Sequence, residues 1–265
     1  MPIITLINDW KHESLYSSLI KGRLASLNAN IETIDLISVF ETFDYLSAAF
    51  ILKNSYKNFP QGTIHLNFVT NLKQKDSDFL IAEFDNQFFI SEDNGFLPIV
   101  FDNKPVKVYR LPRENTSFDE LEFYPLIVKT ILANMLDKLE PPTEEYVKST
   151  LPEPAIISNR IVGHILYIDN YGNLITNFDK KFIDENCHGK KFKIVVQSER
   201  NVIETISENY SETESGDILC LFNSLGHLEI AIKDASIAEL MSITRKDQVS
   251  IIFEDNSKKE TGTLF

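Results

Sequence analysis

The sequence predicts an α/β N-terminal domain with a mainly parallel sheet, followed by a C-terminal β-barrel-like domain. Two patterns lead there. In the first half, continuous apolar runs alternate with segments of helical period; in the second, short β-branched runs are separated by turn residues. Between them, the stretch from Glu140 to Pro154 has the proline and charge content of a linker. The expected domains are 1–139 and 156–265, joined by 140–155.

Ile3 to Ile7 is an apolar run ending in Asn8-Asp9-Trp10, as expected of a buried parallel strand that delivers polar residues at its carboxyl end. Ligands bind at that edge of α/β sheets. Leu15, Leu19, Ile20 and Leu24 recur at helical spacing between Ser14 and Leu27, and a second β run, Ile31 to Leu36, follows. A second helix is predicted from Phe43 to Tyr56 and a strand from Ile64 to Val69. Phe79 to Phe84 and Gln87 to Ile90 read as strands about Asp85-Asn86, and a helix from Tyr124 to Leu139 closes the domain. In the second half the predicted strands are Ile161 to Ile168, Leu174 to Phe178, Lys191 to Val196, Val202 to Ile206, Ile218 to Phe222, His227 to Ile232 and Val249 to Phe253. One short helix is expected near Ala235 to Met241.

The net charge of -13 and the absence of any Lys/Arg run longer than two residues argue against a nucleic-acid or anionic-membrane surface. No apolar run approaches the roughly 18 residues of a membrane span. Cys187 and Cys220 form no Cys-x-x-Cys pattern, and Met1-Pro2-Ile3-Ile4 lacks a secretory leader's charged start, so a cytoplasmic protein with reduced thiols is expected. The five histidines show no paired metal-ligand spacing, and no metal is expected. P-loop, nucleophile-elbow and dinucleotide fingerprints are absent.

Ile168-Asp169-Asn170-Tyr171-Gly172-Asn173-Leu174-Ile175-Thr176-Asn177 places a carboxylate, an aromatic ring, a glycine and amides where a buried strand reaches solvent. The stretch resembles the D-x-F-G-N-L-x-T-N segment of the S-adenosylmethionine hydroxide adenosyltransferase family, relatives of the S-adenosylmethionine-dependent fluorinase and chlorinase. Further anchors follow in the family's order. Asp9-Trp10-Lys11, Ser14, Tyr16 and Lys21-Gly22 match its opening motif, although Ser14 stands where the family often has Asp. Asp35-Leu36-Ile37-Ser38 with Phe40, Asp44 to Ala49, and Phe59 to Leu66 match the next three, Glu92 to Gly95 resembles P-D-N-G, and Asn223 to Ala231 is similar to N-S-x-G-x-L-E-I-A.

That resemblance implies displacement at the ribose C5′ of S-adenosylmethionine, with methionine leaving and water or halide attacking. By carry-over, Asp9 holds the ribose hydroxyls, Phe43 lines the sugar and methionine side, and Tyr171 and Tyr210 sandwich adenine. Asn173 reads the base edge, while Asp169 and Ser224 face the methionine amino and carboxylate groups. The family's catalytic Asp, Arg and His are replaced: Thr70 and Ser77 stand at the first two positions, and either Phe118 or Asp119 at the third. Halide use is disfavoured, since the loop has lost its glycines and gained Lys73, Gln74 and Lys75. The expectation is a protein that binds S-adenosylmethionine or adenosine, with no cofactor, assembled as a homotrimer with intersubunit sites. Two alternatives stand: a hydrolase with a substitute base among Asp76, Asp78 and Asp119, and a catalytically silent oligomeric scaffold or ligand sensor.

Overall fold

The computed structural model describes residues 1–10, 14–27, 30–36, 42–72, 77–113, 119–198 and 202–254, with the side chain of Asp119 outside the description. Lys11, the motif residues Ile37, Ser38 and Phe40, the loop residues Lys73 to Asp76, and Phe118 lie outside the described residues. The chain forms two compact units, Met1–Leu151 and Pro152–Phe265.

In the first unit the strands are β1 (Ile3–Ile7), β2 (Glu32–Asp35), β3 (Ile64–Asn67), β4 (Phe79–Phe84), β5 (Gln87–Glu92) and β6 (Val108–Leu111), and the helices α1 (Leu15–Ala25), α2 (Tyr45–Ser55), α3 (Phe96–Val100) and α4 (Asp119–Leu132). The sheet runs β2-β1-β3-β5-β4-β6 among the described residues. Strands β2, β1, β3 and β5 pair in parallel, whereas β4 is antiparallel to both β5 and β6. The chain therefore steps from β1 to one side for β2 and crosses back to the other for β3. That reversal is a topological switch point at the carboxyl ends of β1 and β3, the edge at which α/β sheets take ligands.

Local chemistry fixes the helix starts. Ser14 Oγ accepts from Tyr16 N at 3.2 Å at the head of α1, and Asp44 Oδ1 accepts from Ser47 N at 3.2 Å at the head of α2. Ile4, Leu6, Ile64, Leu66, Phe79, Ile81 and Ile90 from the sheet meet Tyr124, Ile127 and Val128 of α4 in one buried core. Helix α4 begins and ends earlier than the predicted Tyr124 to Leu139, and a 3-10 turn covers Leu136–Lys138. Pro125 consequently lies inside the helix, and having no N–H it leaves the carbonyl of Leu121 without its i+4 donor. Arg23 supplies a replacement: its Nη1 donates to Leu121 O at 2.5 Å. Within the stretch 140–155, residues up to Leu151 fall in this unit, with Thr143 bridging Val108 and Val147 N donating to Asp93 Oδ1 at 2.8 Å.

The second unit contains β7 (Ala155–Ile157), β8 (Arg160–Ile168), β9 (Leu174–Asp179), β10 (Phe192–Val196), β11 (Val202–Ile203), β12 (Ile218–Phe222), β13 (His227–Ile232) and β14 (Gln248–Phe253), with helices α5 (Lys180–Cys187) and α6 (Ile237–Leu240). The strands follow the order β11-β10-β14-β8-β9-β13-β12, with β7 added to β8. Neighbours pair antiparallel throughout. Ser207, just beyond β11, bridges Leu221 of β12, and its N–H donates to Cys220 O at 2.8 Å. This brings the two ends of the sheet together into a nearly closed barrel. Ile161, Ile165, Leu174, Phe178, Ile194, Leu228, Ile230 and Ile251 fill its interior. Both cysteines are buried and free. No helix among the described residues is long and apolar enough to cross a membrane, and no His/Cys/Asp/Glu group among them is arranged to hold a metal ion.

Candidate functional site

The β8–β9 hairpin turn is built by its own first residue. Asp169 Oδ1 accepts from Tyr171 N at 2.8 Å and Asn173 N at 2.9 Å, while Oδ2 accepts from Asn173 Nδ2 at 3.1 Å. The carboxylate thus folds the chain back on itself and fixes the orientation of the Asn173 side chain. Gly172 takes φ +80°, and a Cβ there would lie 2.0 Å from Ser236 Oγ, so the position requires glycine on both counts. Ala238 N donates to Gly172 O at 3.1 Å, docking the turn on α6. Tyr171, pinned at its backbone, is 79% exposed as a residue.

This turn forms one wall of a cavity of about 830 Å³ within the second unit. Four residues expected from the sequence come together there: Asp169, Tyr171, Asn173 and Tyr210. The volume lies in the range of small-molecule sites. Ser224 is not part of this wall. It sits exposed in the turn between β12 and β13, where Asn223 Oδ1 accepts from Leu225 N at 3.0 Å and His227 N at 3.1 Å.

Glu229 also lines the cavity, and the sequence reading passed over it. It lies on β13 between Leu228 and Ile230, which face the barrel core, so strand alternation turns Glu229 to the opposite face. The Tyr210 hydroxyl donates to its Oε1 in a very short hydrogen bond. Burial, then the hydrogen bond to Glu229, push the Tyr210 phenol well above its ordinary pKa and keep it a donor. A single charged residue in an otherwise apolar run, Leu228-Glu229-Ile230-Ala231-Ile232, was the available signal.

In the first unit, Asp9 follows β1 at the carboxyl end of the parallel strands. Its Oδ2 accepts from Phe43 N at 2.6 Å, and Phe43 adopts φ +66° just ahead of α2 and is half-exposed. Burial raises the Asp9 pKa, and the Phe43 N–H bond opposes that rise. Thr70 and Ser77 are both half-buried. Around Thr70 the backbone is held by asparagines rather than by a glycine turn. Asn67 Oδ1 accepts from Val69 N at 3.1 Å, Asn94 Nδ2 donates to Val69 O at 3.2 Å, and Asn71 Nδ2 donates to Asn94 O at 3.1 Å.

Beside this loop, Arg113 Nη2 meets Glu92 Oε1 at 2.7 Å and also contacts Glu120 in a very short pair. Glu92 Oε2 is enclosed with no hydrogen-bond partner among the described residues. Burial pushes the Glu92 carboxyl up to about 7, with Arg113 pulling it down and Glu120 raising it further. Asp78, one of the candidate bases, is instead paired with Arg110 at 3.2 Å, and Arg110 also holds Asp93 at 2.9 Å.

The chain is similar to known proteins along most of its length. Residues 4–138 match the model of the SAM hydroxide adenosyltransferase N-terminal domain, and residues 163–250 match that of the C-terminal domain. The chain is 24% identical over 269 aligned positions to the (R)-S-adenosyl-L-methionine hydrolase of Methanocaldococcus jannaschii, covering 96% of this chain and 97% of that one. Among solved structures, an uncharacterized conserved protein from Thermotoga maritima superimposes with TM-score 0.79 at 21% identity, covering 94% of this chain and 99% of that one. A conserved hypothetical protein from Thermus thermophilus does so with TM-score 0.72 at 18% identity, covering 95% and 100%. These two likenesses bear on the fold alone.

Proposed function

The chain belongs to the SAM hydroxide adenosyltransferase family, and from that premise we propose that it binds S-adenosylmethionine or adenosine through the cavity of its second unit. The observation that carries this reading is the convergence of Tyr171, Tyr210 and Asn173 on one cavity of about 830 Å³. Two aromatic rings and an amide suit a purine: the rings offer stacking faces and the amide offers both a donor and an acceptor to the base edge. Asp169 acts by holding the Asn173 side chain, and ribose-side roles for Asp9 and Phe43 rest on the family resemblance alone.

Turnover is expected to be weak. Attack at C5′ forms an O–C5′ bond, breaks the C5′–S bond and releases methionine, and the attacking water must lose a proton. The family positions carry Thr70 and Ser77, whose hydroxyls are poor bases near neutral pH. Losing a positioned base lowers a rate by about 10²- to 10⁴-fold. Assembly as a homotrimer is part of the same reading, and sedimentation showing a monomer would contradict that part.

The test is to mix the protein with a stoichiometric amount of S-adenosylmethionine, pass it through a desalting column and quantify nucleosides and methionine in both fractions. Because the Methanocaldococcus relative is named for the (R) form, each sulfonium epimer is supplied separately. Intact S-adenosylmethionine or adenosine travelling with the protein supports the reading. Adenosine and methionine at a substantial turnover rate would replace it with an active hydrolase, and neither retention nor product would overturn it.

A further inference from the structure

We propose that Glu229 is the residue that selects a purine bearing an exocyclic amino group, so that adenine is taken in preference to a base lacking that donor. The inference rests on the proposed nucleoside reading of the same cavity and adds the group that sets its specificity. Glu229 lines the cavity beside Tyr210 and Asn173, and the residue as a whole is only 8% exposed. Its position on β13 is fixed from both sides, with Ile175 of β9 and Leu221 of β12 as its cross-strand partners. Among the described residues it receives one hydrogen bond, from the Tyr210 hydroxyl.

A carboxylate offers about four lone-pair sites and no donor. Tyr210 occupies one, and the rest of a shielded carboxylate must be met by donors or be left costly to desolvate. A purine stacked on the Tyr210 ring lies beside the hydroxyl that holds Glu229, so its edge comes within range of the carboxylate. An amino group there donates to Glu229, whereas a ring carbonyl or an unsubstituted carbon cannot. The sign of the charge agrees, because a carboxylate repels bases that present an oxygen at that edge and tolerates the cationic sulfonium.

The experiment compares adenosine with purine riboside, which lacks only the 6-amino group, by equilibrium titration of the full chain and of Glu229→Gln and Glu229→Met. The wild-type protein is expected to bind adenosine roughly 10- to 100-fold more tightly, the range for a hydrogen bond to a charged group. Glu229→Met is expected to bring the ratio close to one while purine riboside still binds, and Glu229→Gln, which keeps a neutral acceptor, to fall between. A variant that merely misfolds loses both nucleosides together, so purine riboside binding by Glu229→Met reports the fold, with Glu229→Gln as the milder control. A wild-type ratio near one, or an unchanged ratio in Glu229→Met, overturns the assignment while leaving the nucleoside reading intact. Failure of the wild-type protein to bind either nucleoside overturns both.

Discussion

Arg23 of α1 donates from Nη1 to the carbonyl of Leu121, the one α4 carbonyl whose helical donor position is taken by Pro125. The contact spans 98 residues of sequence and closes a polar gap at the surface of the core. Replacing Arg23 by Met should cost about 1 to 2 kcal/mol in urea unfolding, since the carbonyl is left with no protein donor. Pro125→Ala restores the helical N–H, so in the double variant the Arg23 substitution should cost much less. An additive result in that double-mutant cycle would show that the two residues act independently.

Asp9 and Phe43 predict a separable pair of effects. Asp9→Asn keeps an acceptor for Phe43 N and should stay within about 1 kcal/mol of wild-type stability, while Asp9→Ala should lose roughly 1 to 3 kcal/mol. Both should weaken adenosine binding if Asp9 holds the ribose hydroxyls. Calorimetric titration beside urea unfolding distinguishes the two contributions.

The glycines at 163 and 172 are fixed by close approach. A Cβ on Gly163 would stand 2.3 Å from Phe178 Cζ in the barrel core, and one on Gly172 would stand 2.0 Å from Ser236 Oγ at φ +80°. Alanine at either position should destabilise by about 1 to 3 kcal/mol. Only Gly172→Ala should also reduce nucleoside affinity, because it displaces the turn that presents Tyr171 and Asn173. Equal binding losses in both variants would argue that the cavity answers to barrel stability in general.

Two buried groups set opposite pH dependences. Glu92 titrates near 4.5 when unfolded and about 7 when folded. Between those values the folded chain holds a proton that the unfolded chain has released, so this contribution to stability falls as pH rises through the window. His65 runs the other way. Burial lowers it from 6.5 to about 4, and it sits as a neutral ring between Thr5 Oγ1 at 2.7 Å and Gln87 Oε1 at 2.5 Å. The unfolded chain gains its proton first, so this contribution is lost as pH falls from about 6.5 to 4. Glu92→Gln should therefore gain on the wild type as pH rises from 5 to 8, by on the order of 1 kcal/mol, and should expose the acid-side loss from His65. Urea midpoints at pH 4.5, 6 and 8 check both signs.

The parallel core was legible because β1 and β3 lie in short apolar, β-branched runs that are buried, and β2, a partly exposed edge strand, follows the first helix at the spacing of a β-α-β unit. The hairpin turn at Asp169 was equally legible, since its Asx and glycine chemistry is local. Elements too short to show a period were missed: α3 is five residues with Pro98 inside, and β6 is four residues reading Val-Tyr-Arg-Leu. Helix α5 was missed although Asp179 caps it, accepting from Phe182 N at 2.7 Å, because eight residues are too few to show a sustained helical period. Arg23 with Leu121, and Glu92 with Arg113, are partners across long stretches of chain, and no local pattern announces such pairs. Glu229 stood out locally as a lone charge in an apolar strand, but its role was not legible, since its partner is a tyrosine 19 residues earlier.

The most direct test of the account is calorimetric titration of adenosine into the wild-type protein and into a Tyr171→Ala, Tyr210→Ala variant. The account predicts one saturable site per chain in the wild type, weakened by about 10- to 100-fold or more when the two stacking rings are removed. Adenosine binding with unchanged affinity in the variant, or no binding by the wild type, would contradict it.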